Sequence, residues 1–174
     1  PIPSVAWEAD GWSLVTEAFA EGDHARSSLI ARHTLTNTSD HSQQLELVLA
    51  ARPFQVNGPR QFLNRAGGVS RIVDLELAGS ILNVDDAPRV WLAEPPNTFT
   101  ASRLDSGLAP FAAPARVSGA EDETGLASGA MTYSFSLQPG ESRTVTWCAP
   151  LTGETLLCEG DFEARENAVA EAWR

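Results

Sequence analysis

The stretch that decides the fold is Met131-Thr132-Tyr133-Ser134-Phe135-Ser136-Leu137, followed by Gln138-Pro139-Gly140-Glu141 and then, after two further residues, by Thr144-Val145-Thr146-Trp147. Apolar and polar residues alternate in both flanking segments, which is the period-two pattern of strands with one buried face. Proline fixes one φ angle and glycine permits a positive φ at the next position, so the pair between the segments favours a tight turn. We therefore predict a β-hairpin over these residues.

The same patterning recurs along most of the chain. Further predicted strands are Trp12–Ala20, Ser28–Thr36, Gln43–Ala51, Val69–Leu77, Pro88–Ala93 and Thr98–Arg103. Asn37-Thr38-Ser39-Asp40 predicts a second hairpin because these side chains bond their own backbone, and Val84-Asp85-Asp86-Ala87 predicts a third turn. Strands of this spacing without intervening helical periods are typical of an all-β fold, an antiparallel two-sheet β-sandwich.

Length and charge limit the classes of partner. The 174 residues suffice for one compact domain with its own core. Twelve basic residues stand against twenty-three acidic ones, a formal net charge of −11. This balance argues against nucleic acid and against an anionic membrane, because both require a basic field on the protein. The sequence has no apolar run of the roughly 18 residues that a membrane span needs and no recognisable targeting segment, so the compartment stays open.

Motifs for catalysis, metals or cofactors do not occur in the sequence. His24, His33 and His41 lack metal-ligand spacing, and the nucleophile-elbow, P-loop and dinucleotide patterns are missing. We therefore predict no catalytic residue, no metal and no cofactor. The acidic clusters Asp85-Asp86 and Glu121-Asp122-Glu123 suit Ca²⁺ or an acid/base carboxylate, but solvated turns are the interpretation we favour for both.

The segment Ala51–Asn64 is the most informative for function, because amide and guanidinium groups alternate with apolar residues between two prolines and a glycine. Such groups carry directional donors and acceptors, and proline lowers the entropy lost when they are held in place. A loop that merely covers a sandwich edge is an equally good explanation. The candidate contact residues are Arg52, Phe54, Gln55, Asn57, Arg60, Gln61 and Asn64.

The last residues predict a helix with an apolar side. Asp161 suits an N-cap, and Phe162, Val169 and Trp173 lie seven and four residues apart, so they share one face. A lone helix of about fourteen residues is marginal in water unless that face is covered. We expect residues 1–160 to form the sandwich and residues 161–174 to begin a linker helix whose apolar face rests on a following domain.

The sequence resembles the β-sandwich that precedes the six-hairpin α/α barrel in bacterial glycosidase-like proteins, a supersandwich of galactose-mutarotase-like fold. The likeness lies in Ile30–Thr38, Arg52–Asn57, Leu137–Gly140 and the closing segment Asp161–Trp173. The group includes glucoamylases, glycogen-debranching-like enzymes, and maltose and cellobiose phosphorylases. The resemblance implies a non-catalytic accessory domain that packs against the barrel holding the catalytic carboxylates, with Arg52–Asn64 bordering the substrate cleft.

Two other functions remain open at this point. An independent carbohydrate-binding module would stack a sugar ring on an exposed tryptophan, and Trp91 is the candidate, whereas Trp12 and Trp147 fit the core. A small enzyme of mutarotase type would require a histidine and a glutamate that converge, and His33 and Glu46 lie on neighbouring predicted strands. Either the adjoining barrel or a carbohydrate is therefore the expected partner.

Overall fold

A computed structural model describes residues 2–55, 69–103, 118–152 and 160–172 of the chain. It confirms an antiparallel two-sheet β-sandwich with one short C-terminal helix, and the two main sheets have eight and three strands. The elements are β1 (Ser4–Ala9), β2 (Trp12–Gly22), β3 (Ser27–Asn37), β4 (Gln43–Ala51), β5 (Phe54–Gln55), β6 (Val69–Ser70), β7 (Asp74–Ala78), β8 (Ile81–Val84), β9 (Ala87–Leu92), β10 (Thr98–Ser102), β11 (Gly119–Glu121), β12 (Ser128–Leu137), β13 (Ser142–Thr152) and α1 (Phe162–Ala172).

One compact unit comprises Pro1–Leu47, Arg89–Pro95 and Ser134–Arg174. Its strands lie in the order β1-β2-β3-β13-β9 within the eight-stranded sheet, and β3 pairs with β2 and β13 along nearly its whole length. Ile30 and Val145 are at most 1% exposed. Cross-strand pairing places Ile30 and Val145 on opposite faces of this sheet, because Ile30 pairs with Cys148 while Val145 pairs with His33.

The other unit comprises Val48–Pro88 and Pro96–Tyr133. It contains the neighbouring strands β8-β7-β11, the pair β5-β6, and β10 beside the first half of β12. Leu75 and Leu82 form the centre of its core, each at most 1% exposed. Gly129 permits close packing there, since a Cβ at this position would lie 2.7 Å from Leu75 Cδ2.

The hairpin predicted at Pro139-Gly140 is wrong, although its turn is present. The Glu141 N–H donates to the Gln138 carbonyl at 2.9 Å, and Gly140 has a φ of 76°. However, β12 lies between β10 and β4 in the three-stranded sheet, whereas β13 pairs with β3 in the eight-stranded sheet. The turn therefore carries the chain from one sheet to the other, because local turn chemistry does not determine which strand becomes the hydrogen-bonded neighbour.

The hairpin predicted at Asn37–Asp40 is wrong for the same reason, because β3 and β4 belong to different sheets. Asn37, fully buried, connects the two crossings. Its Nδ2 donates to the carbonyls of His41 and Leu137 at 2.8 and 3.0 Å, and its Oδ1 accepts from Ser39 N–H and Oγ–H. The Gly140 N–H also donates to the Asn37 carbonyl at 2.9 Å. One asparagine thus holds both sheet-to-sheet connections.

Other elements differ from the prediction in smaller ways. The Asp85-Asp86 turn is confirmed, with φ angles of 52° and 60°. The predicted strand Val69–Leu77 is divided into β6 and β7. The sequence analysis missed β1, which pairs with β2 across Asp10-Gly11, where Gly11 has the positive φ of 85° that such a tight turn requires.

Candidate functional site

The helix α1 packs on the sheet of its own chain. Phe19, Ile30 and Cys148 are buried cross-strand neighbours on β2, β3 and β13, and Phe162 and Val169 pack against this cluster. Phe162 and Val169 are therefore covered in part by their own chain, and contact of their remaining exposed surface with a following domain stays a prediction. The third member of the predicted apolar face, Trp173, lies outside the described residues.

Two ion pairs of opposite direction join α1 to the sheet. Arg32 on β3 reaches Glu166 on the helix, with Nη1 and Oε2 2.5 Å apart. Arg165 on the helix pairs with Glu21 on β2, and its Nε donates to Oε2 at 2.9 Å. The guanidinium of Arg165 also lies 5.1 Å from the centre of the Phe162 ring. All four charged side chains are about one-fifth exposed, so solvent screens these pairs only in part.

The start of α1 and the way it is held on the sheet both follow from its own residues. Asp161 caps the helix as predicted, since its Oδ1 accepts from the Ala164 N–H at 3.0 Å. None of the described residues of α1 is fully buried, and the helix has no basic residue in its last turn. The ion pairs and the two half-buried apolar contacts, rather than a deep apolar seam, hold the helix in place.

An open groove of about 350 Å³ adjoins the first turn of α1, and it has a mixed lining in which Arg32, Glu94, Thr144, Thr146 and Asp161 stand beside Ala93 and Phe162. The Arg32 Nε atom is buried and finds no hydrogen-bond partner among the described residues. Hydroxyls, carboxylates and a guanidinium together suit a ligand rich in hydroxyl groups. Sequence reasoning missed this groove because its residues come from β3, the segment just after β9, β13 and the start of α1.

His33 occupies the opposite face of the same sheet, between Thr16 on β2 and Trp147 on β13. The Trp147 indole N–H donates to His33 Nε2 at 3.0 Å, and Nδ1 lies 3.0 Å from Thr16 Oγ1. Because indole can only donate, Nε2 must be unprotonated, which makes the ring neutral with its hydrogen on Nδ1. Burial lowers the pKa of His33 below its ordinary value of 6.5. These bonds give His33 a structural role.

His33 and Glu46 do not form the pair that a mutarotase-type site requires. They lie on β3 and β4, which belong to different sheets. The Glu46 carboxylate accepts from Ser134 Oγ at 3.2 Å on an exposed surface, whereas His33 bonds Thr16 and Trp147. The physical reason is the crossing at Asn37, which separates strands that are neighbours in sequence.

The tryptophans are not equally available for stacking. Trp91, the predicted platform, is half-buried against the cluster of Phe19, Ile30 and Cys148. Trp7 is 62% exposed on β1 and has Val5, 54% exposed, on the same face. The sequence feature that could have identified Trp7 as a residue of an edge strand is the spacing of the apolar residues Val5 and Trp7 just before the Asp10-Gly11 turn.

The loop candidates are only partly described. Arg52 is exposed just after β4, and Phe54 and Gln55 form β5, which pairs with β6. The remaining four, Asn57, Arg60, Gln61 and Asn64, lie outside the described residues. The proposed contact role of this segment therefore stays a prediction.

The acidic clusters act as turn-forming groups. Asp85 Oδ1 accepts from the N–H groups of Val73 and Asp74 at 2.8 and 3.0 Å. Asp122, only 4% exposed, accepts from the Thr124 N–H at 2.9 Å and from its hydroxyl. Across the described ranges no group of three or more His, Cys, Asp or Glu side chains is arranged to hold a metal ion. Asp122 therefore stabilises its own backbone turn, although it is buried rather than solvated as expected, and Asp85 connects its turn to the start of β7.

Comparison of the sequence with known protein families and with curated proteins finds no match. Within the part of the chain that the structure describes, no helix has the length and apolar character that crossing a bilayer demands. Functional inference must therefore start from the geometry of the fold itself.

Proposed function

We propose that this chain is a non-catalytic β-sandwich accessory domain of a larger carbohydrate-active enzyme, of glycoside-hydrolase type, and that it packs against an α/α-barrel catalytic domain. The observation that carries the proposal is the anchoring of α1. Reciprocal ion pairs and the contacts of Phe162 and Val169 fix the direction of a helix that has no buried residue of its own among those described. A linker helix held in this way imposes a defined orientation on the domain that follows it.

The use of the charged side chains supports a scaffolding role. His33 is held neutral between two hydrogen-bond partners. Asp85 and Asp122 accept from backbone N–H groups, and Glu21 and Glu166 form ion pairs that hold α1. In this proposal the chemistry belongs to carboxylates of the adjoining barrel. The loop Arg52–Asn64 is the surface that we assign to the border of its substrate cleft, as the resemblance implies.

The native protein encoded by the complete gene provides the test. We expect it to hydrolyse or phosphorolyse glycosidic bonds, and we expect the charge reversal Arg165→Glu to lower both its melting temperature and its activity by loosening the linker. Combining that change with Glu21→Arg should restore both, because the pair is re-formed with opposite sign. Arg143→Glu is the matched control, since the Arg143 side chain is 61% exposed and lies away from α1. A complete protein that acts on no glycosidic linkage contradicts the proposal.

The exposure of Trp7 favours one alternative, an independent carbohydrate-binding module. A flat, exposed indole offers a face on which a sugar ring can stack. Affinity electrophoresis in gels containing starch, cellulose or mannan distinguishes the two functions. A binding module is retarded by its glycan and loses the retardation in Trp7→Ala, whereas an accessory domain migrates at the same rate in every gel.

A further inference from the structure

Strand β1 is the outermost strand of the eight-stranded sheet, and no described strand lies beyond it. All six of its residues are exposed. Val5 and Trp7 point to one face, and Ser4, Ala6 and Glu8 point to the other. An edge with two large exposed apolar side chains and one charged residue is poorly protected against pairing with another strand.

The register with β2 shows which backbone groups of β1 face outward. Ala9 and Trp12 flank the two-residue turn, so they form a hydrogen-bonded pair, and such pairs recur at every second residue. The Ala18 N–H donates to the Pro3 carbonyl at 3.2 Å, which fits the same phase. The odd-numbered residues of β1 therefore bond β2. The N–H and C=O groups of Ser4, Ala6 and Glu8 point away from the sheet.

We propose that two copies of this chain associate by antiparallel pairing of their β1 strands about a two-fold axis at Ala6. In this register Ala6 pairs with its own symmetry mate, and Ser4 pairs with Glu8 of the second copy. All three outward-facing residues of each strand then form hydrogen-bonded pairs. The two sheets become one continuous sheet across the axis. This association does not depend on the proposed accessory function.

The side chains favour this register over its neighbours. Val5 lies opposite Trp7 of the second copy in a pair without mutual hydrogen bonds, where side chains approach most closely, so each exposed apolar group covers the other. On the opposite face Ser4 meets Glu8, a hydroxyl against a carboxylate. Shifting the axis to Glu8 would place the two Glu8 carboxylates opposite each other. Shifting it to Ser4 would leave most of each strand unpaired.

Net charge opposes the association in a measurable way. Each copy carries a formal charge of −11, so the two repel each other at long range. Added salt shortens the range of that repulsion, because the Debye length is about 8 Å at about 0.15 M ionic strength. The dimer should therefore form more readily as ionic strength increases. An interface held by complementary charges would instead weaken with added salt.

Sedimentation equilibrium over a range of concentrations tests the proposal on the 174-residue chain. We expect the mass to rise with concentration from 18.6 kDa toward twice that value. Val5→Lys should raise the dimer dissociation constant by at least about tenfold, because it replaces both Val5–Trp7 apolar pairs by a charged side chain that would have to leave water opposite Trp7. Ala6→Pro should do the same while leaving the bonds to β2 intact, since the Ala6 N–H faces outward. Val48→Lys, at an exposed valine on β4, is the matched control and should dimerise like the wild type.

Three results would overturn the proposal. The first is a wild-type mass that stays at 18.6 kDa at every concentration and salt level. The second is a dimer that Val5→Lys does not weaken, because the contact then lies on another surface. The third is a monomer whose tryptophan emission responds to added glucan and loses that response in Trp7→Ala, since the exposed indole would then be a sugar platform. Val5→Lys keeps the test decisive if Ala6→Pro fails to fold.

Discussion

Replacing Phe162 with alanine should partly release α1 from the sheet. Complete burial of a phenylalanine side chain contributes roughly 1.5–3 kcal/mol, and Phe162 is only half-buried, so about half of that range is lost. The stacking of Arg165 over the ring, at 5.1 Å, adds roughly 0.5–1 kcal/mol. The helix should therefore lose about 1.5 kcal/mol of docking free energy, which corresponds to a roughly tenfold larger population of the undocked state.

Cys148 reports this population directly. Cys148 is 1% exposed and Phe162 packs against its cluster, so lifting the helix should open a path for a thiol reagent. In a Cys158→Ser background, Phe162→Ala should accelerate labelling of Cys148 about tenfold, provided that helix opening is fast and reversible relative to labelling. Phe162→Leu, which keeps an apolar contact, should give a smaller acceleration, and the exposed Glu171→Ala should give none. If Phe162→Ala labels Cys148 at the wild-type rate, the described docking of α1 does not control access to this cluster.

Substitutions at three further positions test other parts of the fold. Burial in the folded state lowers the pKa of His33 below its ordinary value of 6.5, so near and below that pH the unfolded chain binds more protons than the folded one. The free energy of unfolding should therefore fall as the pH decreases through this region. In urea titrations, His33→Gln should make the free energy of unfolding depend less on pH. Asn37→Ala should lower the free energy of unfolding by about 3 kcal/mol, because it leaves buried groups such as the Leu137 carbonyl without their hydrogen-bond partner. A melting temperature within a degree or two of the wild type would refute the role given to Asn37. Asp86 has a φ of 60°, which suits glycine and not a β-branched residue. Asp86→Gly should therefore stabilise the chain by up to about 1 kcal/mol, and Asp86→Val should destabilise it. Thermal unfolding measures both effects.

The sequence contained enough information to locate most of the long strands but not to show which strands pair with each other. Alternation of apolar and polar residues identifies β12 and β13, and Pro139-Gly140 identifies the turn between them. A turn and two alternating strands have the same local pattern whether the strands pair or separate into two sheets. The buried amide of Asn37, which fixes the crossings, bonds groups up to a hundred residues away, so no local pattern could indicate it.

The contacts that hold α1 could not be predicted from the sequence for the same reason. The spacing of Phe162 and Val169 correctly predicted an apolar helix face, but the surface that covers it comes from β2, β3 and β13. The pairs Arg32–Glu166 and Arg165–Glu21 join residues more than a hundred positions apart, and in a strongly acidic chain many glutamates are equally plausible partners. Trp91 and Trp7 differ in exposure because β1 lies at an edge of the sheet, whereas β9 lies between β13 and β8.

The burial of Asn37 also constrains how this protein can be produced. Asn37-Thr38-Ser39 matches the acceptor sequence for N-linked glycosylation, which attaches sugar to the same amide nitrogen that donates to the His41 and Leu137 carbonyls. A eukaryotic secretory host adds such glycans while the chain is still emerging from the ribosome, before Asn37 is enclosed. The modified nitrogen would lose a donor, and the attached sugar would have no room at a fully buried position. Secretion from yeast or insect cells should therefore yield misfolded material, and Ser39→Ala, which removes the acceptor sequence at the cost of one hydroxyl, should restore folding there.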